Sequence, residues 1–309
     1  MSARYGLSEE LCRRQLPGAR GWSETGRQLA TEPTAWALLA SRSSTCPATG
    51  VRDGLDALLS MRQPDGLWSA FADSTGRSLW ATALALNALI SLPSPALAAS
   101  LSALVQCYPL EASWLVRLKF RYSDRQVRFD PAKYGWSWVP GTVSWVVPTS
   151  MALITLSRAR NRGLNGGRVL ESRLQLGAEM LLNRACSGGG WNAGNPVVYG
   201  APLRPHVDAT AIALAALRMR YQHPTVSASL EWLLTQTPCR SPYSLAWQAI
   251  VLDLYRDVRT DLARTICAAQ EHLAVCIGDP QDVHDTSTMA LAAIALGLEA
   301  GDNPFEVRA

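Results

Sequence analysis

Asp208 opens an apolar run, follows a glycine-rich aromatic loop, and has His206 two residues before it. Asp285 repeats the pairing, with His284 beside it and Asp282 close by. Glu32 precedes a third apolar run. A carboxylic acid with an imidazole near it is material for proton transfer, because the neighbour tunes the acid's strength. Three readings of these residues stand. Each acid near a helix start caps it, accepting backbone amides at the positive end of the dipole. Alternatively, Asp208 donates a proton and His206, His284 or Asp285 tunes it. Or His206, Asp208, His284 and Asp285 ligate zinc or another divalent ion, as imidazole and carboxylate do. We take Asp208, with His206 and Asp285, as the catalytic group, and expect no metal and no other cofactor. Asp208 and Asp285 as a carboxylate pair also suit glycan chemistry.

The aromatic residues supply a candidate lining. Residues 111–147 hold Trp114, Phe120, Tyr122, Phe129, Tyr134, Trp136, Trp138 and Trp145 outside any periodic helix. That density predicts a long ordered loop over one end of the molecule. Trp136, Trp138 and Trp145 are expected to line a cavity, together with Trp80, Trp191 and His284. Aromatic faces stabilise cations, and they equally suit an apolar ligand. Trp36 and Trp247 fall inside helices and read as core. Trp68 and Trp191 follow glycines in loops, where an indole pins a loop to the body.

The elements that position these residues form a repeat. A T-x-x-A-L frame begins at Thr34, Thr82, Thr149 and Thr210, with looser copies at Ala246 and Ser287. Each opens an apolar helix of about three turns, and a helix apolar all round is buried all round. The Thr or Ser is expected to accept first-turn amides. Two residues before the frames stand Glu32, Trp80, Val147, Asp208, Ser244 and Asp285. In a ring these positions circle one mouth. Amphipathic helices are predicted between the copies, over 53–62, 169–182, 226–235 and 261–273, and more weakly over 95–106. Short strand signals fall at 126–129 and 196–199. Six buried helices alternating with surface helices predict an all-α, single-domain α6/α6 toroid spanning 1–309. A closed ring gives each inner helix two inner neighbours, whereas an open solenoid needs polar end caps.

Composition narrows the class. The chain has 309 residues, 48% hydrophobic and 17% charged, with a formal charge of +4. Its arginines are scattered, so the basic stripe of a nucleic-acid protein is absent. Seven cysteines, Cys46 among them, show no C-x-x-C and read as reduced, packed thiols. The opening residues carry no apolar segment of a secretory signal, and no apolar run has membrane-spanning length. A soluble, cytoplasmic protein is expected, with peripheral contact to a membrane and a second subunit left open.

Arg62-Gln-Pro-Asp-Gly-Leu-Trp68 followed by Ser78-Leu-Trp-Ala-Thr-Ala-Leu-Ala-Leu86 resembles the repeat of squalene–hopene cyclases and protein prenyltransferase β subunits. Gly188-Gly-Gly-Trp-Asn192 followed by Asp208-Ala-Thr-Ala211 is similar to the same repeat. The resemblance runs from about Glu32 to Leu298 and implies the α/α toroid. It also implies chemistry. Squalene cyclases protonate an alkene with the middle acid of D-x-D-D-T-A. His206-Val-Asp-Ala-Thr-Ala211 keeps that acid as Asp208, with His206 and Ala209 in place of its flanking acids. Prenyltransferases hold zinc through Asp-x-Cys and a distant His; Asp208 and His284 match, but Thr210 stands where the thiolate belongs. The implied function is a terpene cyclase-like protein performing proton-initiated cyclisation of an apolar isoprenoid. The alternatives are a non-catalytic lipid-binding or scaffold toroid, and a prenyltransferase-like subunit without its complete zinc site.

Overall fold

The computed structural model describes residues 2–18, 20–24, 28–41, 48–90, 95–122, 129–164, 166–236, 239–279, 282–298 and 303–307. Cys46 and most of the strand signal at 126–129 lie outside them. The fold is all-α. In chain order the helices are α1 (Ser2–Arg13), α2 (Thr31–Ser41), α3 (Ala48–Ser60), α4 (Leu79–Leu89), α5 (Pro95–Gln106), α6 (Trp114–Tyr122) and α7 (Val146–Asn161). Then come α8 (Arg168–Asn183), α9 (Val207–Ala216), α10 (Pro224–Leu234), α11 (Pro242–Leu254), α12 (Ala263–Ile277) and α13 (Thr286–Leu296). Neither α1 nor α6 is announced by the repeat. Trp114–Tyr122 is helical inside the stretch expected to be a loop, because Val116 and Phe120, four apart, give it one face to seat.

The six repeat copies lie in α2, α4, α7, α9, α11 and α13. In that order each packs on the next, and α13 packs back on α2. These cycle helices are buried on nearly every face: Thr286 to Ala295 of α13 are all buried, as are Leu79 to Asn87 of α4. Flanking helices cover them, α3 on α2, α5 on α4, α8 on α7, α10 on α9, α12 on α11 and α13, and α1 on α13. A flanking helix buries one stripe: Leu170, Leu174, Ala178 and Leu181 of α8 recur at helical spacing.

The frame threonines do something other than capping. Thr34, Thr82, Thr149 and Thr210 accept the backbone N–H of Trp22, Trp68, Trp136 and Trp191 at 2.8–2.9 Å. Each of those indole N–H groups donates to a carbonyl in the preceding flanking helix: Leu11, Leu58, Leu104 and Leu181. One loop tryptophan thus ties a cycle helix to a flanking helix, four times over. The correction has a simple cause. Helix α9, for example, begins at Val207, so Thr210 is already inside it and its hydroxyl faces the loop. Glycines make room for that approach. A Cβ on Gly135 would stand 2.3 Å from the Thr149 side chain, and Gly190, at φ +79°, would meet Thr210 Oγ1 at 3.0 Å.

Two buried arginines anchor the 107–147 segment. Arg184 pairs with Glu111 at 3.3 Å and donates to Ser144 O, and the Ser144 N–H donates to Glu111 at 2.9 Å. Arg173 donates to the carbonyls of Val105, Cys107 and Gly135 and lies 4.1 Å from the Trp136 ring centre. Burial lowers both guanidiniums to about 10. The strand signal at 196–199 becomes a small hairpin, β1 (Val197–Val198) against β2 (Ala201–Pro202). Tyr199 and Gly200 both have positive φ, as a type I′ turn requires.

Candidate active site

Two of the other expected mouth positions, Trp80 and Asp285, act on Glu32. It lies in the first turn of α2, and the Trp36 indole N–H, one turn on, donates to its Oε1 at 3.3 Å. Trp80 from α4 reaches the same carboxyl and favours its charged form. Burial dominates these donors: with the charge of Glu24 it pushes the Glu32 carboxyl up to about 7, and Asp285 adds to the rise. Tyr243, in the first turn of α11, is near enough to feel the charge of Glu32. Burial raises its phenol strongly, and the charges of Glu32, Asp208 and Asp285 raise it further. The Trp247 indole faces Tyr243 without closing a hydrogen bond of normal geometry. Glu32 and Tyr243 are both deep in the molecule, yet both retain water-accessible surface. Side chains that line an internal space behave this way.

One helical turn below that level the interior is closed. Trp36 and Trp247 meet edge to face at 5.7 Å, and Phe305 sits 5.8 Å and 5.0 Å from them. All three are fully buried. The segment carrying Phe305 is held by Asn303, whose Nδ2 donates to Ile250 O at 2.9 Å. Below Glu32 and Tyr243 the interior therefore ends on an aromatic floor.

The residues expected to act are distributed around it. Asp208 is in the first turn of α9, half-buried, and its charge reaches Tyr243. His206 is the N-cap residue of α9, exposed, and its side chain caps no amide. Asp285 is the N-cap of α13 and accepts the Thr288 N–H at 2.6 Å. His284 Nε2 lies 3.3 Å from Cys276 O, and its own carbonyl accepts from Arg14 at 2.8 Å. The tilted rings of Trp80 and Trp138 meet at 5.8 Å, so Trp138 stands beside the indole that reaches Glu32. Trp145 occupies the N-cap position of α7 without a side-chain cap, and its ring packs over Gly194. Trp136 and Trp191 are fully buried and serve as the loop ties described above. Among the described residues, no group of three or more His, Cys, Asp or Glu side chains is placed to hold a metal ion.

Two contributors escape sequence reasoning. Tyr243 is displaced by one from the expected mouth position, Ser244, because Ser241 caps α11 and Pro242 starts it. Glu24 follows Trp22 in the first loop; it accepts the Ser287 N–H at 3.1 Å and the Ser287 hydroxyl. Burial raises the Glu24 carboxyl while Ser287 opposes the rise. The Gly21-Trp22 pair is the signal that marks this loop as a member of the repeat.

Beside the mouth lies a cavity of about 660 Å³ lined by Arg13, Arg14, Glu24, His284, Asp285 and neighbouring residues. It is open and mixed in polarity. The arrangement as a whole offers a carboxyl pushed well above the ordinary carboxylate range, to about 7. Two indole donors await its conjugate base, and further carboxylates stand close by.

No protein-family model matches the chain, and no curated protein matches it in sequence. Its fold is similar to that of the type II terpene cyclase MstE from Scytonema in the apo form. The TM-score is 0.61 at 14% identity, over 96% of this chain and 97% of that one. An MstE variant in complex with merosterolic acid A, its product, gives 0.59 at 14% identity over 96% and 95%. A reducing-end-xylose releasing exo-oligoxylanase complexed with xylose gives 0.50 at 10% identity over 98% and 94%. At these identities the likeness is one of architecture: this chain has an all-α, terpene-cyclase-like fold.

Proposed function

We propose that the chain is a single α6/α6 toroid whose mouth binds an isoprenoid and cyclises it by protonation. The observation that carries the reading is Glu32: a desolvated carboxyl raised to about 7, with the Trp36 and Trp80 indoles around it. Protonating an alkene requires an acid that holds its proton in the resting state and whose anion is stabilised once the proton leaves. Burial keeps the proton on Glu32 at higher pH than on an ordinary carboxyl, and the Trp36 and Trp80 indoles donate to its anion, so we assign it the donor role beside Asp208. The Glu32 O–H bond breaks as a new C–H bond forms, and a carbocation develops on the adjacent carbon. An internal alkene attacks that cation and closes a ring. The cyclised cation then passes a proton to a carboxylate at the mouth, leaving a neutral product, and solvent returns a proton to Glu32. The Trp80 and Trp138 faces, with the carboxylates Asp208 and Asp285, favour positive charge at the mouth. His206, on the exposed side of α9, is a tuning group for Asp208.

Acyclic polyprenyl substrates of graded length, assayed by mass spectrometry of extracted products, test the proposal. Glu32→Gln is expected to abolish cyclised product and Asp208→Asn to reduce it. Equal product yield from Glu32→Gln and the parent chain would remove the mechanism. A protein that retains an isoprenoid through purification without converting it would be a binding toroid.

A glycan-active reading has one observation in its favour. Glu24 and Asp285 share the open, charged 660 Å³ cavity, where a sugar is at home. Hydrolysis of a xylo-oligosaccharide panel, lost in Glu24→Gln, would select it over cyclisation.

A further inference from the structure

Six cycle helices and six flanking helices account for twelve of the thirteen helices among the described residues. The one left over is α6. It packs chiefly on the 3-10 turn before it, Leu110–Ala112, and none of its nine residues is buried. At 100° per residue, Trp114, Leu118, Tyr122 and Leu115 fall on one arc. That arc points outward: the four are 65%, 47%, 69% and 59% exposed. Val116 and Phe120 turn the other way, and the Phe120 ring sits 5.3 Å from Phe129. Exposed Lys119 and Arg121 flank the apolar arc on its two sides, Arg117 lies beyond Arg121, and α6 contains no acid.

Four large apolar side chains projecting together into water are unfavourable, and a contiguous patch of that kind marks a binding surface. Its chemistry selects the occupant. Trp and Tyr prefer the headgroup level of a bilayer, Leu the acyl boundary beneath it, and Lys and Arg the phosphates beside them. A second copy of the chain is a poor match, because a two-fold dimer through this face sets Arg117, Lys119 and Arg121 against themselves. Nine residues span only about 14 Å, so the helix lies on a membrane rather than crossing it. No helix among the described residues is long and apolar enough to cross. The turn before α6 is fastened to the loop that carries Trp138. Leu110 N–H donates to Thr142 O at 3.1 Å, and Glu111 accepts from Ser144. The exposed arc thus follows directly on a turn bonded to the loop that carries Trp138.

We propose that α6 docks this protein on the surface of an anionic bilayer, with Trp114, Leu115, Leu118 and Tyr122 in the headgroup–acyl boundary and Lys119 and Arg121 on lipid phosphates. Docking there brings the mouth beside the lipid phase from which an apolar substrate would be drawn. The docking itself is independent of the cyclase reading, since its test needs no turnover.

The test is co-sedimentation of the full chain with phosphatidylcholine vesicles, with and without phosphatidylserine. Phosphatidylserine is expected to tighten binding by roughly tenfold or more, and Lys119→Gln with Arg121→Gln to remove most of that gain. Leu115→Glu with Leu118→Glu is expected to abolish binding to both vesicle types. Both leucines are about half exposed, so thermal unfolding is expected to change little, and an unfolding temperature close to the parent's excludes misfolding as the cause. No sedimentation of the parent chain with anionic vesicles overturns the proposal. So does binding that either pair of substitutions leaves intact. If the leucine pair instead converts a dimer to a monomer in analytical ultracentrifugation, the surface is a protein interface and the proposal fails.

Discussion

Replacing Glu32 by glutamine should make the protein more stable at high pH and leave the difference small at low pH. A carboxyl ordinarily at 4.5 sits at about 7 in the folded chain, chiefly through burial. Below pH 4.5 both the folded and the unfolded chain hold the proton, and the residue is neutral toward stability. As pH rises from 4.5 to 7 the unfolded chain releases its proton first, so unfolding is increasingly favoured. Above pH 7 the full effect is present. At 1.36 kcal/mol per pH unit, the displacement from 4.5 to about 7 corresponds to about 3 kcal/mol. Glutamine keeps an acceptor for the Trp36 indole but has no proton to lose. Whatever constant offset its amide introduces, the gap between the two proteins should widen by about 2–3 kcal/mol between pH 4.5 and 8. Urea unfolding followed by far-ultraviolet circular dichroism at a series of pH values measures it. Groups common to both proteins cancel, apart from a smaller contribution through Glu24, whose charge is coupled to Glu32. A gap that stays flat across this range, or narrows as pH rises, would refute the placement of Glu32 in a desolvated space.

Asp285→Ala should lower stability by about 1 kcal/mol through loss of the α13 cap, and should also bring the Glu32 transition to lower pH, since a charge that raises it is gone. The transition, read from the same pH series, distinguishes this from capping alone. Thr149→Val strands the buried N–H and C=O of Trp136 and should cost about 2–3 kcal/mol in urea unfolding; a cost within experimental error would show that the loop tie is incidental. Glu111→Ala should destabilise by about 3–5 kcal/mol, because it leaves Arg184 charged, buried and without its carboxylate. Combining it with Arg184→Met should cost less than the sum of the two single changes, and additivity in that cycle would argue against the pair.

The fold was legible because its signal is periodic and local. Apolar runs on the T-x-x-A-L frame sit where the cycle helices are, and the amphipathic runs over 169–182 and 226–235 sit where α8 and α10 are. Helices α1 and α6 were harder to see: α1 belongs to no repeat copy, and α6 is amphipathic toward water. The role of the frame threonines was also hidden. Which of two nearby partners a hydroxyl chooses, a first-turn amide or a loop N–H, depends on how the loop folds back.

The sequence by itself placed three acids at equivalent helix starts, since that register follows from spacing alone. Read alone, it favoured Asp208. Asp208 and Asp285 carry the neighbouring histidines and looked richest in chemistry, whereas Glu32 has only Trp36 one turn on. Their environments separate them: Asp285 spends its carboxylate on the Thr288 amide, Asp208 is half-buried at the mouth, and Glu32 faces inward between two indoles. Acid strength is set by solvent exclusion and by charges contributed from elements far apart in the chain. Glu24, Trp80, Tyr243 and Asp285 reach Glu32 only once the helices are packed together. Sequence spacing therefore determined where acids stand along the chain, and tertiary packing decided which neighbours surround each of them.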